Sequence, residues 1–302
     1  MCGIAGLFAK TVEIEQQLGR LIAEMMEQLA DRGPDSAGLA LYREPVSIGA
    51  KLSLLCSTDH VEWTELSRRM AADIGDAEVI VDHGQHAILR VATDADVART
   101  WLSEHVVDIA VVGSGQSIEL HKRVGRPEAM LADCGIRNLG ATHGLGHTRM
   151  ATESRVTTAG SHPFSTGEDL CLVHNGSLSN HNRLRRELQR EGVSFATEND
   201  SEVAAGYLTW KLRDGATLDQ ALESALEDLD GFYTFAVGTR DGFAVLRDPI
   251  ACKPAVMAET DGWVAIASEY RAIAQLPGAS DAEVWEPEPA RIYSWSHAAV
   301  PQ

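Results

Sequence analysis

Cys2 follows Met1 directly, in Met1-Cys2-Gly3-Ile4. Removal of Met1 would leave a thiol and a free α-amine on one residue. A thiolate is a strong nucleophile. An α-amine titrates at about 7.7–8.0 and so accepts a proton near neutral pH. One residue would then hold both a nucleophile and its base, the logic known for N-terminal threonine. While Met1 stays attached, that nitrogen is an amide and no base.

Four further groups follow in order: Arg32-Gly33-Pro34-Asp35-Ser36, Gly146-His147-Thr148-Arg149-Met150-Ala151-Thr152, His174-Asn175-Gly176 and Asn199-Asp200-Ser201-Glu202. Thiolate attack on a carbonyl creates an oxyanion, which needs preorganised donors. The Asn175 amide and the Gly176 N–H can supply two. The planar fork of Arg149 suits a carboxylate. Each group also has a plainer reading. Asn175-Gly176 is a turn signal that would end a strand at 174. Asp200 can cap the helix that follows it. Arg149 can make a structural ion pair. His147, His162 and His174 raise a Cys–His alternative to the α-amine.

Taken together and in this order, the five motifs resemble the class II glutamine amidotransferases, whose glutaminase domain belongs to the N-terminal-nucleophile hydrolases. Arg247-Asp248-Pro249, Lys253-Pro254 and Ala267-Ser268-Glu269 match later pieces of the same domain. The resemblance implies catalysis by Cys2 with its own amine as base, and an oxyanion hole from Asn175 and Gly176. It implies that Arg149, helped by Thr152, binds the α-carboxylate of glutamine, and that Asp200 binds the α-ammonium. Arg32 and Asp35 are expected to order the turn beside Cys2, the histidines to be structural, and the segment after Arg149, up to about Arg155, to close over the site. The implied fold is α+β, a four-layer αββα sandwich of two antiparallel sheets.

Some class II members follow the Thr-Arg pair with Trp or Tyr, whereas here Met150-Ala151-Thr152-Glu153-Ser154 follows. With Ser161-His162-Pro163-Phe164, this wording is most similar to the glutamate-synthase branch. There, free-standing subunits of this length occur in glutamate synthase-like and N-methylglutamate synthase complexes. That implies a hetero-oligomer in which a partner carries flavin and an iron–sulfur cluster and takes the ammonia, with no cofactor in this chain. The rival readings are a partner-dependent or non-catalytic regulatory subunit on the same fold, and an N-terminal-nucleophile hydrolase of another amide. The second should lack the Arg149 and Asp200 pair. An amidophosphoribosyltransferase-like enzyme would need a further domain.

The elements that must position these residues are legible in outline. The chain has 302 residues, 44% of them hydrophobic, enough for one class II domain over 2–302 with an insertion at about 51–140. Strands are expected at 3–8, 37–42 and 169–174, and in hairpins across 231–246 and 255–267; the tail 283–296 also reads as strand. A helix over 14–30 is striped by Ile14, Leu18, Leu21, Ile22, Met25, Met26 and Leu29. Further helices are expected at 181–191, 202–213 and 218–228, and a small strand–helix–strand unit at 86–112. Grouped rather than alternating elements favour antiparallel sheets with outer helices. The excess of 44 acidic over 26 basic residues, a net charge of −18, disfavours nucleic acid and anionic membranes as partners. Five scattered cysteines without a CxxC pair argue against a disulfide framework or a structural metal site, so no metal is expected. A reducing cytoplasm fits that usage. No leader pattern and no apolar run long enough to span a bilayer is visible.

Overall fold

The computed structural model describes residues 2–58, 61–151 and 156–297. Two antiparallel sheets form the centre. The first has seven strands: β1 (Gly3–Ala9), β2 (Ser36–Tyr42), β7 (Ile118–Val124), β8 (His143–Arg149), β12 (Val256–Glu259), β13 (Trp263–Ala267) and β14 (Glu283–Trp285). Their spatial order is β14-β12-β13-β1-β8-β2-β7. The second has four, in the order β15-β11-β10-β9: β9 (Cys171–Leu178), β10 (Gly231–Thr239), β11 (Gly242–Arg247) and β15 (Ile292–Ser296).

The period-two alternation of the strands builds the layers. Along β1, Ala5, Leu7 and Ala9 join one core with α1 (Val12–Gln28), α4 (Pro127–Asp133) and α8 (Tyr270–Ile273). Ile4 and Phe8 point the other way, into a core shared with Val173, Ala236 and Phe243 of the second sheet. A third core joins Leu172, Phe235 and Leu246 to α5 (His181–Arg190), α6 (Asp200–Arg213) and α7 (Leu218–Asp228). The result is helix, sheet, sheet, helix, the expected four-layer sandwich. The stripe on α1 is fully used: Leu18, Leu21, Ile22, Met25 and Met26 are all buried. Burying each such side chain contributes about 1.5–3 kcal/mol.

A separate four-stranded sheet, in the order β4-β5-β3-β6, carries β3 (Ala50–Cys56), β4 (Ala77–His83), β5 (His86–Val91) and β6 (Ile109–Gly115). It packs around its own core with α2 (Trp63–Ile74) and α3 (Ala95–His105). The chain then returns to the first sheet through β7 and α4.

Two local expectations fail. Asn175-Gly176 makes no turn: β9 runs through it, pairing Asn175 with Thr234 and Gly176 with Tyr233. Gly176 has φ +155°, and a Cβ there would lie 2.0 Å from the Phe232 carbonyl oxygen. The glycine lets the ladder continue past a close backbone approach, where the turn rule reads only the dipeptide. The tail 283–296 is also not one strand. β14 joins the first sheet and β15 the second, because Pro287 and Pro289 between them lack the N–H a ladder needs. Among the described residues, no helix is long and apolar enough to cross a membrane.

Candidate active site

Cys2 lies immediately before β1, at the end where β8 finishes: Gly3 pairs with Thr148. The side chain is half-buried, and its Sγ lies 3.7 Å from the Met150 carbonyl oxygen. Ser268 fixes the start of the strand. Its N–H donates to the Ile4 carbonyl at 3.0 Å, and its hydroxyl accepts from the Ile4 N–H at 2.9 Å.

The Cys2 carbonyl oxygen accepts two hydrogen bonds. Arg32 Nε donates at 3.0 Å and Asn175 Nδ2 at 3.3 Å. Arg32 is itself held by an ion pair with Glu269. Asp35 acts on the β8 end. Its N–H donates to the Arg149 carbonyl at 3.1 Å, and its carboxylate accepts from the Ala151 N–H at 2.8 Å. The turn can lie this close to β8 because residue 33 is glycine; a Cβ would fall 2.3 Å from the Thr148 carbonyl carbon. Arg149 is buried at the end of β8. Arg32 thus holds the Cys2 carbonyl, and Asp35 holds the chain at Arg149 and Ala151.

On the opposing sheet, Asn175 is buried in β9 and reaches across to Cys2. Asp200 opens α6 but is not its cap. Asn199 is the cap, accepting from the Ser201 N–H at 3.0 Å. Asp200 instead accepts from the Leu178 N–H at 2.9 Å and the Ser201 hydroxyl at 3.2 Å. Its carboxylate remains part-exposed, 3.9 Å from His174 Nδ1. Glu202 holds the approach to the helix by accepting from the N–H groups of Ala196 and Thr197, each at 2.8 Å.

Three buried histidines lie near these residues, His174 on the α6 side of the second sheet. The rings of His147 and His162 stack with centroids 4.0 Å apart, and His147 Nε2 lies 3.1 Å from the His174 carbonyl oxygen. His174 Nδ1 lies 2.8 Å from the Ser201 hydroxyl. Burial pushes all three below the ordinary imidazole range, His147 to about 3. They are neutral rings; His162 packs edge-on against Phe164 and His174 against Phe235, and His174 also faces Ser201 and the Asp200 carboxylate.

The structure therefore brings Cys2, Arg32, Asp35, Arg149 and Asn175 to one point. It sets Gly176 and Asp200 beside Asn175 on the facing layer. Thr152 lies outside the described residues, as do Met1 and residues 153–155 of the segment expected to close. Sequence reasoning took Ser268 and Glu269 as matching text without a role. Only the fold places them behind Cys2 and Arg32.

Residues 147–275 match the family model described as glutamine amidotransferase domain. The glutamine amidotransferase-like protein GlxB of Rhizobium meliloti (strain 1021) is 54% identical, covering 98% of this chain and 99% of its own length. A putative glutamine amidotransferase of Methanothermobacter thermautotrophicus is 31% identical, covering 97% and 99%. Among solved structures, the glutamine phosphoribosylpyrophosphate amidotransferase from B. subtilis shares the fold with a TM-score of 0.62 at 19% identity. That match covers 98% of this chain and 47% of the other.

Proposed function

Because this chain belongs to the class II glutamine amidotransferases, we propose that it releases ammonia from the glutamine side chain through a Cys2 γ-glutamyl thioester. The observation that carries this is the meeting at Cys2 of a donor from the second sheet and one from the turn before β2, with Asn175 Nδ2 3.3 Å and Arg32 Nε 3.0 Å from the Cys2 carbonyl. A primary amide has two N–H hydrogens. One of Asn175's binds Cys2, and the other is left for an oxyanion on the attacked carbon.

The Cys2 amine, freed by loss of Met1, takes the thiol proton. The thiolate adds to the side-chain carbonyl, and the oxyanion is held by Asn175 and the Gly176 N–H. The ammonium proton returns to the leaving nitrogen as the C–N bond breaks. Ammonia departs, a thioester remains, and water releases glutamate. Arg149, with Thr152, holds the α-carboxylate. Asp200 offers its part-exposed carboxylate to the α-ammonium. The ammonia passes to a partner subunit of the glutamate synthase or N-methylglutamate synthase type, which carries flavin and an iron–sulfur cluster. The wording after Arg149 and at 161–164 supports that branch.

Intact mass before and after 6-diazo-5-oxo-norleucine, with peptide mapping, tests the first step. Loss of Met1 and one adduct on Cys2 are expected. A processed Cys2 that stays unlabelled, alone and in the co-expressed complex, would remove glutamine as the ligand. Co-elution with flavoprotein neighbours tests the partner, and its consistent failure would sink that part.

A further inference from the structure

Away from Cys2, three ligand-bearing side chains converge where the separate sheet meets the main one. His86 opens β5, His121 sits in β7, and Cys134 directly follows α4. Their ligand atoms all lie within 4.8 Å of one another. The two imidazole rings are 5.2 Å apart between centroids.

The hydrogen bonding around these rings is unusual. His121 is fully buried, yet neither of its ring nitrogens has a hydrogen-bond partner among the described residues. A buried imidazole is normally satisfied on at least its N–H. His86 Nε2 lies 2.6 Å from the Leu120 carbonyl oxygen, while its buried Nδ1 has no hydrogen-bond partner among the described residues. A carbonyl can only accept, so Nε2 carries the hydrogen and Nδ1 presents a lone pair. A backbone carbonyl on the far nitrogen is the usual way a metal-binding histidine is oriented. Burial also holds both rings below the ordinary imidazole range, which keeps them in the neutral form that binds metal.

We infer that His86 Nδ1, a ring nitrogen of His121 and Cys134 Sγ form a binding site for one zinc-class divalent ion. Two imidazoles and a thiolate suit a borderline-soft cation and not magnesium or calcium, which take oxygen ligands. Zinc bonds of about 2.0–2.3 Å require ligands roughly 3.3–3.8 Å apart in a tetrahedron. Closing the present cluster to that spacing takes shifts of about 1 Å. His86 and Cys134 line a groove of about 230 Å³, with Cys56, His83, Lys122, Arg123 and Asp133 also in its wall. As the ion binds, the Cys134 proton leaves for solvent, so affinity rises with pH.

The ligands come from the separate sheet, the edge of the main sheet and a helix end, so the ion would staple the three together. The site is separate from the nucleophile. His121, Leu39, Gly146 and Ala5 lie in one cross-strand row, three strand spacings or about 14 Å from end to end.

The full chain, purified without a metal-affinity tag, stripped with chelator and titrated with Zn²⁺ and then Co²⁺, tests this. One equivalent of Zn²⁺, a raised Tm and a thiolate-to-cobalt charge-transfer band are expected. Cys134→Ser should remove that band, and His121→Gln should weaken binding by more than about tenfold, the scale on which even outer-shell changes act. Both should still be labelled at Cys2. If the wild-type chain takes up cobalt without the charge-transfer band, or binds zinc no better than a folded Cys134→Ser chain, the site is refuted. The wild-type spectrum decides by itself should either variant fail to fold.

Discussion

Asn175 spends one amide hydrogen on the Cys2 carbonyl, and the proposed chemistry needs the other. Asn175→Ala should therefore lower kcat by about 10²–10³, the usual loss for one oxyanion donor, with a much smaller change in KM. Steady-state kinetics with glutamine reads this; an equal loss spread into KM would make Asn175 a binding residue instead. Arg149→Ala should act in the opposite sense, raising KM far more than it lowers kcat. An unchanged KM would take Arg149 out of the pocket. At this scale the sequence was informative about residue types and almost silent about their contacts. The fork of Arg149 and the amide of Asn175 declare what they can bind. That Arg32 and Asn175 would share one carbonyl, or that Ser268 would pin Ile4, follows from approaches across 30, 173 and 264 residues of chain.

Asp200 owes its place to the start of α6, where Asn199 caps the helix through the Ser201 N–H. Asn199→Ala should cost about 1 kcal/mol of stability. It should also raise KM for glutamine, because Asp200 is the next residue and frays with the first turn. Urea unfolding and kinetics on the same protein check both; lost stability with unchanged KM would separate the cap from the site. Helices and strands with one strong face were legible: the stripe on α1 and the hairpin of β10 and β11 fall where the pattern sets them. Asn175-Gly176 was misread because a turn dipeptide says nothing about a partner strand. β10 supplies hydrogen bonds along the whole of β9, and that tertiary gain overrides the local preference. Pro287 and Pro289 mark the break in the tail, but not which sheet each half joins.

The molecule as a whole buries several neutral histidines between and beside its sheets. Burial pushes His143 and His147 each to about 3, and His162 also lies well below the usual range. In the unfolded chain they titrate near the ordinary value of about 6.5. Between those values the unfolded state binds more protons, so stability is kept above about pH 6.5 and lost as pH falls toward 3. The slope is about 1.4 kcal/mol per pH unit for each such histidine. Urea midpoints at pH 7.5 and 5.5 should differ accordingly; an equal or higher midpoint at 5.5 would mean that these rings are charged when folded.

The order of five short motifs carried the family resemblance, which implied the layered fold, and the two-faced strands and striped helices placed many of its elements, because residue chemistry and side-chain period are local properties written along the chain. Only the tertiary structure decided that Asn175 meets Cys2 from the opposing sheet, that Asn199 and not Asp200 caps α6, and that β9 passes through its turn signal. It alone brought His86, His121 and Cys134 together. Spacing rules had argued against a metal because they look for ligands on one short segment. These three sit on three elements, and their proximity is set by sheet order and helix packing, which no linear spacing encodes.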